Sequence, residues 1–181
     1  MVQSVELLLD DGTDACVRAH WERLAAAGLP SQARHAGPTN RPHVTVAVRA
    51  RLDPGLEPAL RAAVRDLPLP LRLGGLTCFG RDRFVLVRLV VPDVRLLALH
   101  AAVASGLGPD PDDVDARGNL APGRWTPHVT LARRLTPEQV GAALGALSGR
   151  PGGTSDIDGY AVGCRRWDGD ARRETSLVNS V

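Results

Sequence analysis

Two short segments of the chain, PHVTVA and PHVTLA, share the same order of residue types. Each carries a histidine followed two positions later by a threonine: His43 with Thr45, and His128 with Thr130. The β-branched residues around them predict strands, in which residues i and i+2 point to the same face. Each segment therefore predicts an imidazole and a hydroxyl side by side on one face of a strand. The alanine that ends the segment lies on the same face, and the valine between histidine and threonine lies on the other.

Such pairs support proton transfer at a phosphodiester. A neutral imidazole can take a proton from the attacking water while an imidazolium gives one to the departing oxygen. Histidine suits both tasks because its unperturbed pKa lies close to neutral pH. The threonine hydroxyls can stabilise charge on the non-bridging phosphate oxygens. We therefore predict His43 and His128 as catalytic residues, Thr45 and Thr130 as substrate-binding residues, and no metal or cofactor.

The elements around both segments repeat as well. A Leu-x-Pro helix start follows each segment, at Leu52 and Leu135, and a Gly-led strand comes next, at Gly75 and Gly159. An apolar strand, a helix and a Pro/Gly-rich loop precede each histidine. This doubled β-α-β-α-β order predicts an α+β fold with two pseudo-symmetric lobes. Each lobe would be an antiparallel sheet with helices on its outer face, and a central cleft would carry the two His-x-Thr strands.

Hydrophobic patterning predicts a single bilobal domain over residues 1–181, with repeat halves of roughly 1–82 and 83–181. The predicted strands are residues 4–9, 43–48, 69–79, 83–91, 128–132, 155–164 and 175–178. The predicted helices are residues 14–27, 54–67, 92–107 and 137–147. Polar loops are predicted at residues 30–42 and 108–123.

Composition narrows the class of protein further. The net charge of +2 is too small to give the whole protein a positive field that attracts nucleic acids. All 22 basic residues are arginines, which excludes the lysine of Walker-type phosphate loops and the lysyl adenylate of ATP-dependent ligases. The three cysteines, Cys16, Cys78 and Cys164, are too scattered for a zinc site or a disulfide framework. No segment approaches the about 18 apolar residues of a membrane span, so we expect a cytoplasmic monomer without a membrane or protein partner.

The segment HVTLAR, from His128 to Arg133, resembles the second motif of the bacterial 2′-5′ RNA ligase family, also called RNA 2′,3′-cyclic phosphodiesterases. Paired His-x-Thr-x motifs on duplicated lobes are the signature of the wider group, the two-histidine phosphoesterases. The resemblance implies hydrolysis of the 2′,3′-cyclic phosphate of an RNA end or nucleotide to a 2′-phosphate. It also implies that His43 donates the proton, that His128 accepts it, and that Arg133 contacts phosphate or base. The first motif departs from this pattern, with Val48 in place of an arginine, and the symmetry of the pair does not itself assign the two proton-transfer roles.

Other activities remain open on sequence grounds. The superfamily also handles ADP-ribose 1″,2″-cyclic phosphate, and the reverse reaction would give a weak ATP-independent 2′-5′ RNA ligase. A module that binds RNA ends without turnover is the alternative outside the enzymes, although binding alone does not require two proton-transfer groups. Trp125, close to the second motif, is a candidate for base stacking, and packing in the core competes equally with that role. Phe79 and Tyr160 are weaker candidates of the same kind.

Overall fold

A computed structural model describes residues 2–35, 37–109, 120–148 and 154–178 of the chain. Its strands are β1 (Gln3–Leu9), β2 (His43–Arg49), β3 (Leu69–Gly80), β4 (Phe84–Val90), β5 (His128–Leu135), β6 (Ile157–Asp168) and β7 (Arg173–Val178). Its helices are α1 (Asp11–Ala26), α2 (Glu57–Ala63), α3 (Val94–Leu107) and α4 (Pro137–Leu147), with 3₁₀ turns at Gln32–Arg34 and Pro54–Leu56. The elements follow each other in the order that hydrophobic patterning predicts.

The seven strands of this described part form one antiparallel sheet in the order β2-β1-β6-β3-β4-β5, and β7 pairs with the second half of β6. The third strand of each sequence half crosses to the other half, because β6 pairs with β1 and β3 pairs with β4. The two crossing strands pair with each other at the centre of the sheet. The lobes β2-β1-β6 and β5-β4-β3 are therefore related by a pseudo-two-fold axis. The predicted α+β fold with two similar lobes is confirmed, and each lobe draws strands from both halves of the sequence.

The helices form two pairs against this sheet. Helix α1 packs with α4 beside β5 and β6, and α3 packs with α2 beside β2 and β3. Leucine and valine side chains of the strands and helices build a continuous core, as expected for a chain with 3% aromatic residues. None of the described helices is long and apolar enough to span a membrane.

A side-chain cap fixes where α1 begins. The carboxylate of Asp10 accepts a hydrogen bond of 3.0 Å from the N–H of Thr13, so the helix starts three residues before its predicted start. The same carboxylate accepts a bond of 2.6 Å from the N–H of Tyr160 on β6. Where α1 and β6 approach each other, β6 carries Gly159, and a Cβ added there would overlap the hydroxyl of Thr13. The glycine therefore permits the close contact that ties α1 to the sheet.

Several boundaries differ from the prediction. The predicted helix 54–67 is a 3₁₀ turn followed by α2, which ends at Ala63, four residues before the predicted end. Strand β6 continues four residues beyond its predicted end at Cys164, because β1 and β7 pair with its two edges there. Most of the predicted loop at residues 108–123 lies outside the described residues.

Candidate active site

The two His-x-Thr strands face a shared cleft. His43 and Thr45 lie on one face of β2, and His128 and Thr130 lie on the equivalent face of β5. All four side chains are partly exposed, whereas the valines between them are buried. Strands β2 and β5 are the two ends of the sheet, which curls so that they lie against each other. The two imidazoles are close enough for the charge of His43 to act on His128.

Both strands contain a β-bulge immediately after the threonine. In β2, the ladder with β1 pairs Thr45 and Ala47 but skips Val46 between them. In β5, the ladder with β4 skips Leu131 in the same way. One extra residue in a strand shifts the alternation of the residues that follow it, so their side chains change face.

The bulges decide which side chains share the cleft with the histidines. Ala47 and Ala132 are 3% and 0% exposed, so the expectation that they extend the polar face is wrong. Val48 and Arg133 occupy that face instead, because the bulge moves them onto it. Arg133 is exposed, and its charge acts on the imidazole of His128.

Backbone carbonyls orient both imidazoles in the same way. The Nδ1 atom of His43 lies 2.7 Å from the carbonyl oxygen of Arg41, and Nδ1 of His128 lies 2.7 Å from that of Thr126. A carbonyl oxygen only accepts hydrogen bonds, so Nδ1 carries the hydrogen in both rings. In each ring Nε2 is therefore the atom left to exchange protons with a ligand.

Each His-x-Thr strand is held by one tryptophan from the other half of the sequence. Trp21 on α1 donates from Nε1 to the carbonyl oxygen of Thr130 at 3.0 Å, and Trp125 donates to that of Thr45 at 3.1 Å. Trp125 is 8% exposed, and its ring stacks on His100 with 4.2 Å between centroids. The enclosed ring and the hydrogen-bonded N–H favour packing, the second of the two roles considered for Trp125, over base stacking.

The surroundings of His128 favour its neutral form. The ring of Phe79 meets it edge to face, with 4.9 Å between centroids. Burial lowers the pKa of His128, and the charges of Arg133 and His43 add to this effect. The hydrogen bond with Thr126 opposes the shift without reversing it. His128 is therefore suited to accept a proton at neutral pH.

His43 has different surroundings, because Glu6 lies beside it. One oxygen of the Glu6 carboxylate is 3.6 Å from Nε2 of His43. Ser4 donates to that oxygen at 2.6 Å, and Arg165 donates to the other at 2.8 Å. Burial raises the pKa of Glu6, but the charges of His43 and Arg165, together with these hydrogen bonds, outweigh it and hold the pKa below its ordinary value. Glu6 is therefore ionised at neutral pH.

Glu6 and Arg165 break the symmetry between the lobes. In the other lobe, Val87 pairs with Thr130 as Glu6 pairs with Thr45. Thr77 pairs with Val87 and so takes the position equivalent to Arg165. One histidine thus has a carboxylate at this position, while the other has a valine there and no acidic counterpart to Glu6. Glu6 is not among the predicted site residues, although a single carboxylate within the apolar strand SVELLL is a signal that marks it.

The remaining histidines lie elsewhere in the molecule. His20 and His100 are 2% and 4% exposed within α1 and α3, where they pack in the interior. His35 is exposed in the loop after the first 3₁₀ turn. Over the described ranges, no three His, Cys, Asp or Glu side chains come together in an arrangement that could hold a metal ion.

Solved structures share this fold. TT0787 of Thermus thermophilus superposes with a TM-score of 0.59 at 17% identity, covering 98% of this chain and 96% of that chain. Kluyveromyces marxianus Usb1 gives 0.58 at 11% identity, with 98% of both chains covered, and it has also been solved with uridine monophosphate. LigT of E. coli in its apo form gives 0.53 at 18% identity, covering 98% of this chain and 94% of that chain.

Two histidine-bearing strands that face each other across a two-lobed antiparallel sheet define a two-histidine phosphoesterase. The sequence from residue 13 to residue 171 matches the 2′-5′ RNA ligase superfamily, and the chain belongs to that superfamily. No curated protein sequence matches it. The family predicted from the paired motifs is confirmed, and with it the class of enzyme, a phosphoesterase.

Proposed function

We propose that this phosphoesterase hydrolyses the 2′,3′-cyclic phosphates of RNA ends or nucleotides to 2′-phosphates without a metal ion. The observation that carries the proposal is the pair of imidazoles, each held through Nδ1 by a backbone carbonyl, with Nε2 left for proton transfer. Membership of the 2′-5′ RNA ligase superfamily supports an RNA or nucleotide substrate. The uridine monophosphate in one Usb1 structure agrees with this choice.

The unequal surroundings of the two histidines support different roles for them. The ionised carboxylate of Glu6 lies 3.6 Å from Nε2 of His43, where it attracts a proton on that atom. His43 then gives its proton to the departing 3′ oxygen as the bond from phosphorus to that oxygen breaks. His128 is neutral, because burial lowers its pKa, and it takes the proton of the water whose oxygen bonds to phosphorus.

The other side chains of the cleft face stabilise the reacting phosphate. Thr45 and Thr130 place their hydroxyls beside the histidines, and the bulge of β5 adds the guanidinium of Arg133. These groups donate hydrogen bonds to the non-bridging oxygens, where charge accumulates during attack. The same two histidines catalyse the reverse reaction, so weak ATP-independent 2′-5′ joining of RNA ends accompanies hydrolysis.

The test is hydrolysis of the four nucleoside 2′,3′-cyclic monophosphates in excess EDTA, with the product identified by phosphorus NMR. Wild type should form 2′-phosphates, and His43→Ala and His128→Ala should each lower the rate by about 10²–10⁴-fold. Circular dichroism of both variants verifies that they are folded. Loss of activity in EDTA, a 3′-phosphate product, or turnover that either variant retains would contradict the proposal. ADP-ribose 1″,2″-cyclic phosphate serves as the competing substrate.

A further inference from the structure

A cleft of about 690 Å³ lies beside His43 on the outer part of its lobe. His43 and Glu6 form one end of it, and its walls include Arg34, Trp167 and Arg172. We call it the arginine cleft. Its volume falls within the range of about 300–1,000 Å³ that is typical of ligand sites. His128 does not line it, so the cleft extends away from the histidine pair on the side of His43.

The arginine cleft has an excess of positive charge. Arg165 also lines it, but its guanidinium is neutralised by Glu6 at 2.8 Å and by Glu174 at 2.6 Å. Arg34 and Arg172 are exposed, and they form no ion pair with any residue in the part of the chain that the structure describes. Guanidinium groups without an acidic partner are well suited to bind a phosphate oxygen in a bidentate manner.

An aromatic ring completes the arginine cleft. Trp167 follows two positions after Arg165 in β6, and its ring is half-buried, with the guanidinium of Arg165 5.6 Å from the ring centroid. This contact fixes the indole, because a guanidinium and an aromatic face attract each other. A fixed ring beside arginines without an acidic partner is the combination that binds single-stranded nucleic acids, with bases stacked on the ring and phosphates on the cations.

Resting on the proposed function, we propose that the arginine cleft binds the nucleotide that precedes the cyclic phosphate in an RNA strand. Arg34 and Arg172 hold the phosphodiester between this nucleotide and the last one, and Trp167 stacks its base. The cyclic phosphate lies between the two histidines, and the strand continues from there past His43. The preferred substrate is therefore an RNA end of at least two nucleotides rather than a cyclic mononucleotide.

The experiment compares adenosine 2′,3′-cyclic monophosphate with the dinucleotide ApA that ends in a 2′,3′-cyclic phosphate. We expect wild type to show a kcat/KM at least about tenfold higher for the dinucleotide, because two charge-assisted contacts are added. The double variant Arg34→Ala/Arg172→Ala should lose this preference and keep its kcat/KM for the mononucleotide. Arg65→Ala also removes a positive charge, but its exposed side chain pairs with Asp66 outside the cleft, so it should behave as wild type.

Binding separates failure of this inference from failure of the proposed function. Titration calorimetry with the 2′-phosphates of adenosine and of ApA compares the same two ligand lengths without requiring turnover. Tighter binding of the dinucleotide that disappears in the double variant supports the arginine cleft even if neither cyclic phosphate is hydrolysed. Equal kcat/KM and equal affinity for both lengths in wild type would overturn the inference, as would a double variant that weakens both lengths equally.

Discussion

Glu6→Gln removes the carboxylate charge beside His43 and preserves the shape of the side chain. Two unit charges about 4 Å apart attract by about 4 kcal/mol at an effective dielectric constant of about 20, and the distance here is 3.6 Å. The guanidinium of Arg165 is bound to the other oxygen of Glu6 and repels the imidazolium, which offsets about half of this attraction. About 2 kcal/mol of this attraction remains, which corresponds to a change of about 30-fold in rate.

The kcat/KM of this variant measures the effect directly. Activity requires neutral His128, so it falls on the acid side through a pKa that burial holds below the ordinary value of about 6.5. Glu6→Gln acts on the proton donor and not on His128, so it should lower kcat/KM by about 30-fold and leave the acid limb in place.

The matched control is Glu174→Gln, which removes the second carboxylate bound to Arg165, 2.6 Å from that guanidinium, while Glu6 remains beside His43. It should lower kcat/KM much less than Glu6→Gln does. Thermal unfolding of both variants verifies that they are folded at the assay temperature. Equal kcat/KM for wild type and Glu6→Gln, or equal losses in the two variants, would refute the assignment of His43 as the acid.

Two further predictions follow from the bulges and from the tryptophan contacts. Arg133→Ala should lower kcat/KM for a cyclic nucleotide by about 10–100-fold, because it removes a charge-assisted hydrogen bond to the phosphate. Arg134→Ala, on the same strand, should leave kcat/KM unchanged. Equal losses in steady-state assays of the two variants would contradict the placement of Arg133 on the cleft face. Trp125→Phe should lower the free energy of unfolding by about 1–3 kcal/mol, because the carbonyl oxygen of Thr45 loses its 3.1 Å hydrogen bond. Trp21→Phe removes the equivalent bond of the other lobe and should have a similar effect in urea unfolding, and unchanged stability in both variants would show that these bonds contribute little.

Local patterns of the sequence predict most of the fold and the centre of the site. Strand alternation places each threonine on the face of its histidine, and the structure has both pairs there. The repeated order of elements predicts that the two strands occupy equivalent places. These features depend on residues close together in the chain, so periodicity is sufficient to find them.

The features that distinguish the two lobes depend on pairing between distant strands. Alternation alone puts Arg133 on the face opposite His128, because the two are five positions apart, and only the skipped residue in the ladder reverses this. The charged partners of Glu6, His43 and Arg165, come from β2 and β6, which no local pattern connects with β1. Trp125 is enclosed by His100 of α3, and its position in the sequence gives no sign of that contact.

Each half of the sequence supplies its third strand, β3 or β6, to the lobe of the other half. This exchange bears on how the two histidines come to have different neighbours. An isolated half would leave one edge of its first strand unpaired, and a second copy of the same half could supply the missing strand. Such a symmetric dimer would rebuild the cleft, but it would give both histidines identical neighbours and preset neither as acid or base. Joining two non-identical halves allows Glu6 to stand beside one histidine while Val87 takes the equivalent place near the other. Division of labour between the two proton carriers thus depends on the differences between the two joined halves.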